Sequence, residues 1–166
     1  MLSAGGCAFS KSHAPQESGV SAMPDLSITA GPRVEAAMTL LRAAGLPTQD
    51  LDCMSLEHFF FAGPAEAPTG LVGLEMFGDV ALLRSLVVAE PLRGGGAGSA
   101  LLNHAERHAR GRGVKVVYLL TTTAEQFFAQ RGYGHAARDS APAAIRATRE
   151  FSALCPSSSA FMSRQL

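Results

Sequence analysis

Residues 80–98 read Val80-Ala-Leu-Leu-Arg-Ser-Leu-Val-Val-Ala-Glu-Pro-Leu-Arg-Gly-Gly-Gly-Ala-Gly98. The apolar run 80–89 predicts a strand, the turn around the proline ends it, and residues 93–98 form a glycine loop. A helical pattern begins directly after the loop and continues to residue 109. Such a loop places consecutive backbone N–H groups at a helix N-terminus, where the helix dipole is positive. We therefore expect it to bind an anion, most simply a phosphate.

Composition limits the classes of protein that the chain can represent. It has 166 residues, no net charge, two Tyr and no Trp, which argues against nucleic acid or an anionic membrane as a partner. No apolar run reaches the ~20 residues of a membrane span. The three cysteines are widely spaced, which argues against a disulfide framework or a zinc site and predicts a cytoplasmic protein. We expect a disordered leader over residues 1–24 and one domain over residues 25–166.

Hydrophobic periodicity and turn residues predict the order of the remaining elements. Strands are predicted at residues 25–29, 57–62, 70–76, 80–89, 114–121, 133–138 and 160–164, and helices at 32–45, 48–54, 97–110, 123–131 and 143–154. The strand at 114–121 is almost entirely apolar, which is typical of a strand buried on both faces and parallel to its neighbour. A right-handed crossover would place it beside strand 80–89. The fold class is therefore α/β (α+β), with a mixed sheet that is antiparallel in its first half.

Three kinds of glycine loop bind phosphates, and two of them fit poorly. A P-loop needs a lysine after its glycines, and no lysine follows here. A dinucleotide-binding loop needs a third spaced glycine and a position after the first strand, whereas Gly96-Ala-Gly98 lacks that glycine and lies in mid-chain. The third pattern is R-x-x-G-x-G, which the chain matches with Arg93, Gly96 and Gly98.

This third pattern resembles the GNAT superfamily of acyl-CoA-dependent N-acetyltransferases. The resemblance is strengthened by Leu86-Val-Val88 before the loop and Phe127-Phe-Ala-Gln-Arg-Gly-Tyr133 after it. It implies a GNAT fold, that is, a mixed, mostly antiparallel sheet with a central splayed parallel strand pair and flanking helices. It also implies acetyl-CoA as co-substrate and a small-molecule amine as acceptor, and it allows for a homodimer.

Three stretches are similar to a narrower subfamily that is encoded with arsenic-resistance genes. They are residues 78–86, 118–123 and 142–156. Relatives of that kind acetylate the α-amine of arsenical amino acids such as arsinothricin, or of phosphinothricin. The resemblance implies acetylation of the primary amine of a small amino-acid-like compound, an arsenical or phosphinate toxin in particular. Two alternatives stay open: an acyl-CoA-binding sensor without catalysis, and an enzyme that acetylates protein N-termini or lysines.

The resemblance also implies which residues contact the cofactor. The backbone of the strand would pair with the pantetheine arm, and the loop with its flanking residues would surround the pyrophosphate. These positions are Leu86, Val87, Val88, Arg93, Gly94, Gly95, Gly96, Ala97, Gly98 and Ser99. Glycine suits such a loop because a Cβ would block close approach and the required positive φ angles.

Catalytic groups are less clearly marked. A base must deprotonate the acceptor amine, and Glu75 is the first candidate, with Asp79 as second choice. The tyrosine that often protonates the departing thiolate in GNAT proteins is replaced by Phe128, so Tyr118 is the other phenol to consider. His104 and His108 have the spacing of metal ligands, but no third ligand accompanies them and no metal is expected.

Acceptor binding is predicted from charge in apolar surroundings. Arg84 lies in an apolar strand, so it must be paired or face a cavity, where a guanidinium would suit a carboxylate, arsinate or phosphinate. Thr121 and Thr122 end the second central strand and offer hydroxyl groups. Arg146 and Arg149 lie on the predicted helix before the last strand, which could cover the site.

Overall fold

The computed structural model describes residues 26–51 and 56–166. They form a seven-stranded sheet in the order β1-β2-β3-β4-β5-β7-β6. The strands are β1 Ile28–Ala30, β2 Phe59–Ala62, β3 Gly70–Phe77, β4 Val80–Val88, β5 Val116–Thr121, β6 Gly134–His135 and β7 Ala160–Gln165. The helices are α1 Val34–Ala43, α2 Ala97–Gly111, α3 Glu125–Ala129 and α4 Ala143–Arg146. The β4–β5 pair is parallel and the other pairs are antiparallel, which confirms the predicted fold class.

Alternating side chains divide the core between the two faces of the sheet. On one face α2 packs against β2–β5 through residues such as Leu101, Leu102, Val72 and Leu83. The other face holds two clusters. The first packs Leu41 of α1 against β2 and β3, and the second joins β4 to α4 and β7. The central strands are therefore covered on both sides, as their apolar sequences predict.

The predicted helix 143–154 is wrong as a single element. It consists of α4 and a separate π-helical turn at Glu150–Leu154. The hydroxyl of Thr148 donates to the carbonyl of Ile145 at 2.7 Å and accepts from the N–H of Phe151 at 3.3 Å. A threonine side chain that bonds the local backbone in this way competes with the helical hydrogen-bond ladder. The break places the π-helical turn over the end of the central strands.

Other predicted bounds shift by smaller amounts. Strand 133–138 is reduced to Gly134–His135, followed by a 3₁₀ turn at Arg138–Ser140. The predicted short helix at 48–54 is absent from the described residues 48–51, and the rest of it lies outside the described chain. The predicted leader, residues 1–24, also lies outside the described residues.

The two parallel strands separate halfway along their length. Their pairing runs from Val80 beside Val116 to Leu83 beside Leu119 and then stops, although both strands continue. At the same point β4 carries one extra residue relative to β3, because the register changes between residues 71 and 73 of β3. Ser85 sits there with φ +56°, the one non-glycine residue with positive φ among those described. Such a bulge bends and twists its strand, so β4 turns away from β5 and an opening forms between them.

Candidate functional site

The opening between β4 and β5 contains a cavity of about 320 Å³, here called the splay cavity. Residues 83–86 of β4 and residues 119–123 around the end of β5 form its sides. The rest of its lining comes from Phe128, the loop at residues 45–47, and the segment that contains Glu150 and residues 154–156. Among the predicted site residues, the splay cavity therefore collects Arg84, Leu86, Thr121 and Thr122.

A second cavity of about 360 Å³, the loop cavity, surrounds the glycine loop. Gly94 and Gly96 have φ values of +82° and +86°, a region that side-chain-bearing residues rarely adopt. The helix α2 starts directly after Gly96, so the first backbone N–H groups of the helix lack intrahelical acceptors. The geometry is that of an anion-binding helix N-terminus, as the sequence predicts.

The structure places the ten predicted cofactor residues unevenly. The loop cavity is lined by Val88, Arg93, Gly94, Gly96, Gly98 and Ser99. Gly95 belongs to the loop and Ala97 begins α2, but neither lines the loop cavity. The side chain of Val87 packs on the α1 side of the sheet. Arg93 donates from Nε to the carbonyl of Val88 at 2.9 Å, so its side chain ties the loop to the end of β4.

Arg131 is a site residue to which the sequence analysis assigned no role. It lines the loop cavity and donates from Nε and Nη2 to the hydroxyl of Ser99, at 3.1 and 2.6 Å. Its Nη1 donates to the carbonyl of Phe127 at 2.7 Å, and its guanidinium lies 3.6 Å from the centre of the Phe127 ring. A guanidinium is a strong phosphate ligand, so this arginine adds a fixed positive charge beside the start of α2. Its position before Gly132, in a stretch already linked to the glycine loop, was the available signal.

Arg84 is almost completely buried and is surrounded by three carboxylates, a group here called the Arg84 cluster. Its Nη1 donates to Asp50 Oδ2 and Glu75 Oε1, both at 2.5 Å, and its Nη2 donates to Asp50 Oδ1 at 2.8 Å. The Oε2 atom of Glu150 lies 3.0 Å from Nη2. The prediction that Arg84 must be paired or face a cavity is met twice, since it is paired and also borders the splay cavity. Both terminal nitrogens are engaged by the protein, and Nε is buried without a hydrogen-bond partner among the described residues.

The cluster shifts the ionisation of its members in opposite directions. Burial raises the pKa of Asp50, but the hydrogen bonds and charge of Arg84 outweigh burial and hold that pKa below its ordinary value. Burial also raises the pKa of Glu150. There Arg84 opposes the rise without cancelling it, because the charges of Asp50 and Glu75 add to the effect of burial. The same surroundings act on Cys155, where burial and the Glu150 carboxylate raise the thiol pKa to about 11.

Glu75 and Arg149 face a different cavity, of about 370 Å³, at the open edge of β3. This edge cavity shares Arg84 and Asp50 with the cluster, but neither Glu75 nor Arg149 borders the splay cavity. Arg146 is exposed and lines none of the three cavities described. The predicted catalytic and acceptor-binding residues are therefore divided between the two sides of Arg84.

Neither described phenol reaches the splay cavity. Tyr133 is buried and donates to Glu106 Oε1 at 2.9 Å, and burial together with that carboxylate raises its pKa. Tyr118 stacks on Phe161, with ring centres 5.4 Å apart. Phe128 does line the cavity, at the position where the GNAT pattern often has tyrosine.

Within residues 26–51 and 56–166, no group of three His, Cys, Asp or Glu side chains has a metal-binding arrangement. No helix in this part of the chain is long and apolar enough to cross a membrane.

Comparison with known proteins identifies the wider group. Residues 34–135 match the model of the Acetyltransferase (GNAT) family. The amino-acid acetyltransferase of Ralstonia nicotianae is 44% identical over 57 residues, which are 34% of this chain and 13% of that protein. The curated relative is thus far longer than this chain.

Solved structures support the same fold. N-acetylglutamate synthase from Neisseria gonorrhoeae, solved with coenzyme A and L-arginine, has a TM-score of 0.72 and 24% identity, and the match covers 85% of this chain and 33% of the synthase. An aminoglycoside 6′-N-acetyltransferase complexed with coenzyme A has a TM-score of 0.64 and 15% identity, covering 84% of this chain and 97% of its own.

Proposed function

Because the chain belongs to the GNAT acetyltransferase family, we propose that it transfers the acetyl group of acetyl-CoA to the primary amine of a small, amino-acid-like acceptor. The observation that carries the proposal is the opening between β4 and β5, which lies next to the glycine loop at the start of α2. An anion site beside an unpaired strand edge suits acetyl-CoA, which is a long thioester with a diphosphate at one end.

The described residues fit acetyl-CoA both at the glycine loop and along the part of β4 that has no β5 partner. At the loop, Gly94 and Gly96 adopt left-handed angles that keep the backbone close to a ligand, and Arg131 adds positive charge. Along β4, the residues after Leu83 have no β5 partner, so those backbone groups that bond neither β3 nor Arg93 are available to the amide groups of the pantetheine arm. Bound there, acetyl-CoA would supply an activated acetyl group, and the protein would hold it and orient it toward the splay cavity.

The size and lining of the splay cavity support a small acceptor. A volume of about 320 Å³, lined in part by segments from before β2 and before β7, suits a small compound better than a folded protein surface. Thr122 and Thr123 border it with hydroxyl groups, and Thr121 is turned to accept a hydrogen bond from the N–H of Ala124 at 3.0 Å. The similarity to an amino-acid acetyltransferase supports an amino-acid-like compound. The arsenical or phosphinate form of the proposal rests on the sequence resemblance alone.

A second candidate is an acyl-CoA-binding sensor without catalysis. The observation that favours it is Phe128, which cannot protonate a departing thiolate and which lines the cavity where a phenol would be useful. The glycine loop serves both candidates equally, so binding of acetyl-CoA does not separate them.

The test is release of free thiol from acetyl-CoA in the presence of a panel of amines. The panel contains arsinothricin, phosphinothricin, glutamate, a polyamine, an aminoglycoside and a peptide with a free N-terminus, and calorimetry measures acetyl-CoA binding in parallel. Turnover with one or more of the amino-acid-like compounds supports the proposal. Binding without turnover on any amine favours the sensor, and turnover confined to the peptide overturns the small-acceptor assignment.

A further inference from the structure

Two carboxylates contact Arg84 from different sides, and they face different spaces. Glu75 borders the edge cavity, and 26% of its side chain is exposed. Glu150 borders the splay cavity, has a side chain that is 10% exposed, and lies on the π-helical turn that lines part of that cavity. The guanidinium stands between them. Of the two, Glu150 is the carboxylate on the side where β4 and β5 separate.

The Arg84 cluster brings three carboxylates into contact with one guanidinium, and the charge of the exposed Arg149 also acts on Asp50. One guanidinium faces the carboxylates of Asp50, Glu75 and Glu150, all within 3.0 Å of its terminal nitrogens. Buried charge without a matching partner is costly, so the cluster should attract either a proton or a cation. Asp50 accepts two hydrogen bonds from Arg84, whereas the contact of buried Glu150 Oε2 with Arg84 Nη2, at 3.0 Å, is an ion pair without hydrogen-bond geometry. The need for an added proton or cation is therefore greatest at Glu150.

We propose that Glu150, rather than Glu75, takes the proton from the acceptor ammonium, and that Arg84 acts as a positioning residue that orients this carboxylate. The inference rests on the proposed function and names the base of that same site. An ammonium in the splay cavity would pair with the Glu150 carboxylate and balance part of the cluster's charge. Glu150 then accepts one proton, and the neutral nitrogen forms the C–N bond to the acetyl carbon. The C–S bond breaks, and the second nitrogen proton ends on the sulphur of coenzyme A.

The surroundings of Glu150 suit a base. The groups that face it are Arg84 from β4, Asp50 from the segment after α1, Glu75 from β3 and the thiol of Cys155 beside it. Arg138 lies behind the turn, where its Nη2 is 3.4 Å from the carbonyl of Phe151. Burial and the two neighbouring carboxylates raise the pKa of Glu150, which brings a carboxyl closer to the working pH of a cell and makes it a more effective proton acceptor.

The experiment compares Glu150→Gln with Glu75→Gln. Each substitution removes one negative charge next to Arg84 and preserves the shape of the side chain. We expect E150Q to lower kcat by about 10²-fold or more, the usual contribution of a positioned base, and E75Q to lower it less than ~10-fold. In the wild type, kcat should fall at acid pH as Glu150 becomes protonated. In E150Q this fall, the acid limb of the pH–rate profile, should be absent. Glu150→Asp should retain the limb at a changed apparent pKa.

Two readouts do not depend on turnover. Carboxyl ¹³C NMR of the free protein should show one glutamate titrating above the ordinary value of about 4.3, and its signal should be missing in E150Q. Calorimetry should give the same acetyl-CoA affinity for E150Q and wild type, because Glu150 lies outside the loop cavity.

The outcomes separate the two proposals. If wild type acetylates an amine while E150Q keeps its kcat and its acid limb, the assignment of Glu150 is overturned and the proposed function stands. A Glu150 that titrates at or below the ordinary value also overturns it. If wild type acetylates no amine, the proposed function fails and the assignment fails with it.

Discussion

Replacing Arg84 by methionine should be among the most destabilising single changes in this chain. The arginine side chain is 2% exposed and bonds three carboxylates from three separate segments. Methionine fills most of the aliphatic volume but leaves those carboxylates buried without a cation. Removing one partner of a buried ion pair costs about 3–5 kcal/mol, because the remaining charge is uncompensated. Since domains of this size are stable by only ~5–15 kcal/mol, the loss should be obvious in urea unfolding followed by circular dichroism.

The loss should also depend on pH, with a definite sign. Arg84 holds the pKa of Asp50 below its ordinary value of 3.8 in the folded protein. A depressed carboxyl pKa contributes stability that is present above the ordinary value and is lost as pH falls through the lowered value. In R84M that contribution disappears, because burial, which raises the pKa of Asp50, is no longer opposed by Arg84. The difference in unfolding free energy between wild type and R84M should therefore be largest near neutral pH and should shrink as pH falls below 3.8, through the lowered pKa of Asp50.

Arg33→Met is the matched control. Arg33 pairs with Glu66 at 3.1 Å, but the two side chains are 63% and 73% exposed. An exposed pair contributes roughly 0–1 kcal/mol, so this variant should unfold almost like wild type at every pH. Equal losses for R33M and R84M, or an R84M loss that does not change with pH, would refute the charge argument. Should R84M fail to accumulate as folded protein, Arg84→Lys retains the positive charge and should fold with a smaller loss.

Three further variants test other parts of the structure. Gly96→Val places a side chain at φ +86° in the glycine loop and should weaken acetyl-CoA binding at least ~10-fold, as measured by calorimetry. Gly113→Val is the control: it lies outside the loop at φ +87° and should introduce similar backbone strain without changing the affinity for acetyl-CoA. Tyr133→Phe removes the buried hydrogen bond to Glu106 and should lower the unfolding free energy by about 1–2 kcal/mol while leaving kcat unchanged; a change in kcat would mean that this phenol takes part in catalysis. Phe128→Tyr restores a phenol at the splay cavity and should raise kcat if thiolate departure limits the rate, while an unchanged kcat with intact acetyl-CoA binding would exclude that step as limiting.

Strongly patterned elements were predicted well. The strand predicted at 80–89 is Val80–Val88, and the helix predicted at 97–110 is Ala97–Gly111. Both have long apolar repeats and clear turn or glycine signals at their ends, so local interactions are sufficient to set them. The helix predicted at 143–154 has an apolar stripe as well, but Thr148 bonds the backbone and breaks it. Hydrophobic periodicity shows which side chains are apolar. It does not show that a threonine hydroxyl will compete for the backbone hydrogen bonds of the helix.

The anion loop, the parallel strand pair and the family resemblance follow from neighbouring residues in the chain, because glycine conformations, helix ends and strand patterns are local properties. The partners of Arg84 do not follow in that way. Asp50 lies 34 positions before it, and Glu150 belongs to a segment that folds back over the sheet from the far end of the chain. Sequence indicated that a buried arginine needs a partner or a cavity. Which carboxylates meet it, and on which side of it each one lies, depends on strand register, on the bulge at Ser85 and on the packing of two loops, all of which are long-range outcomes of folding.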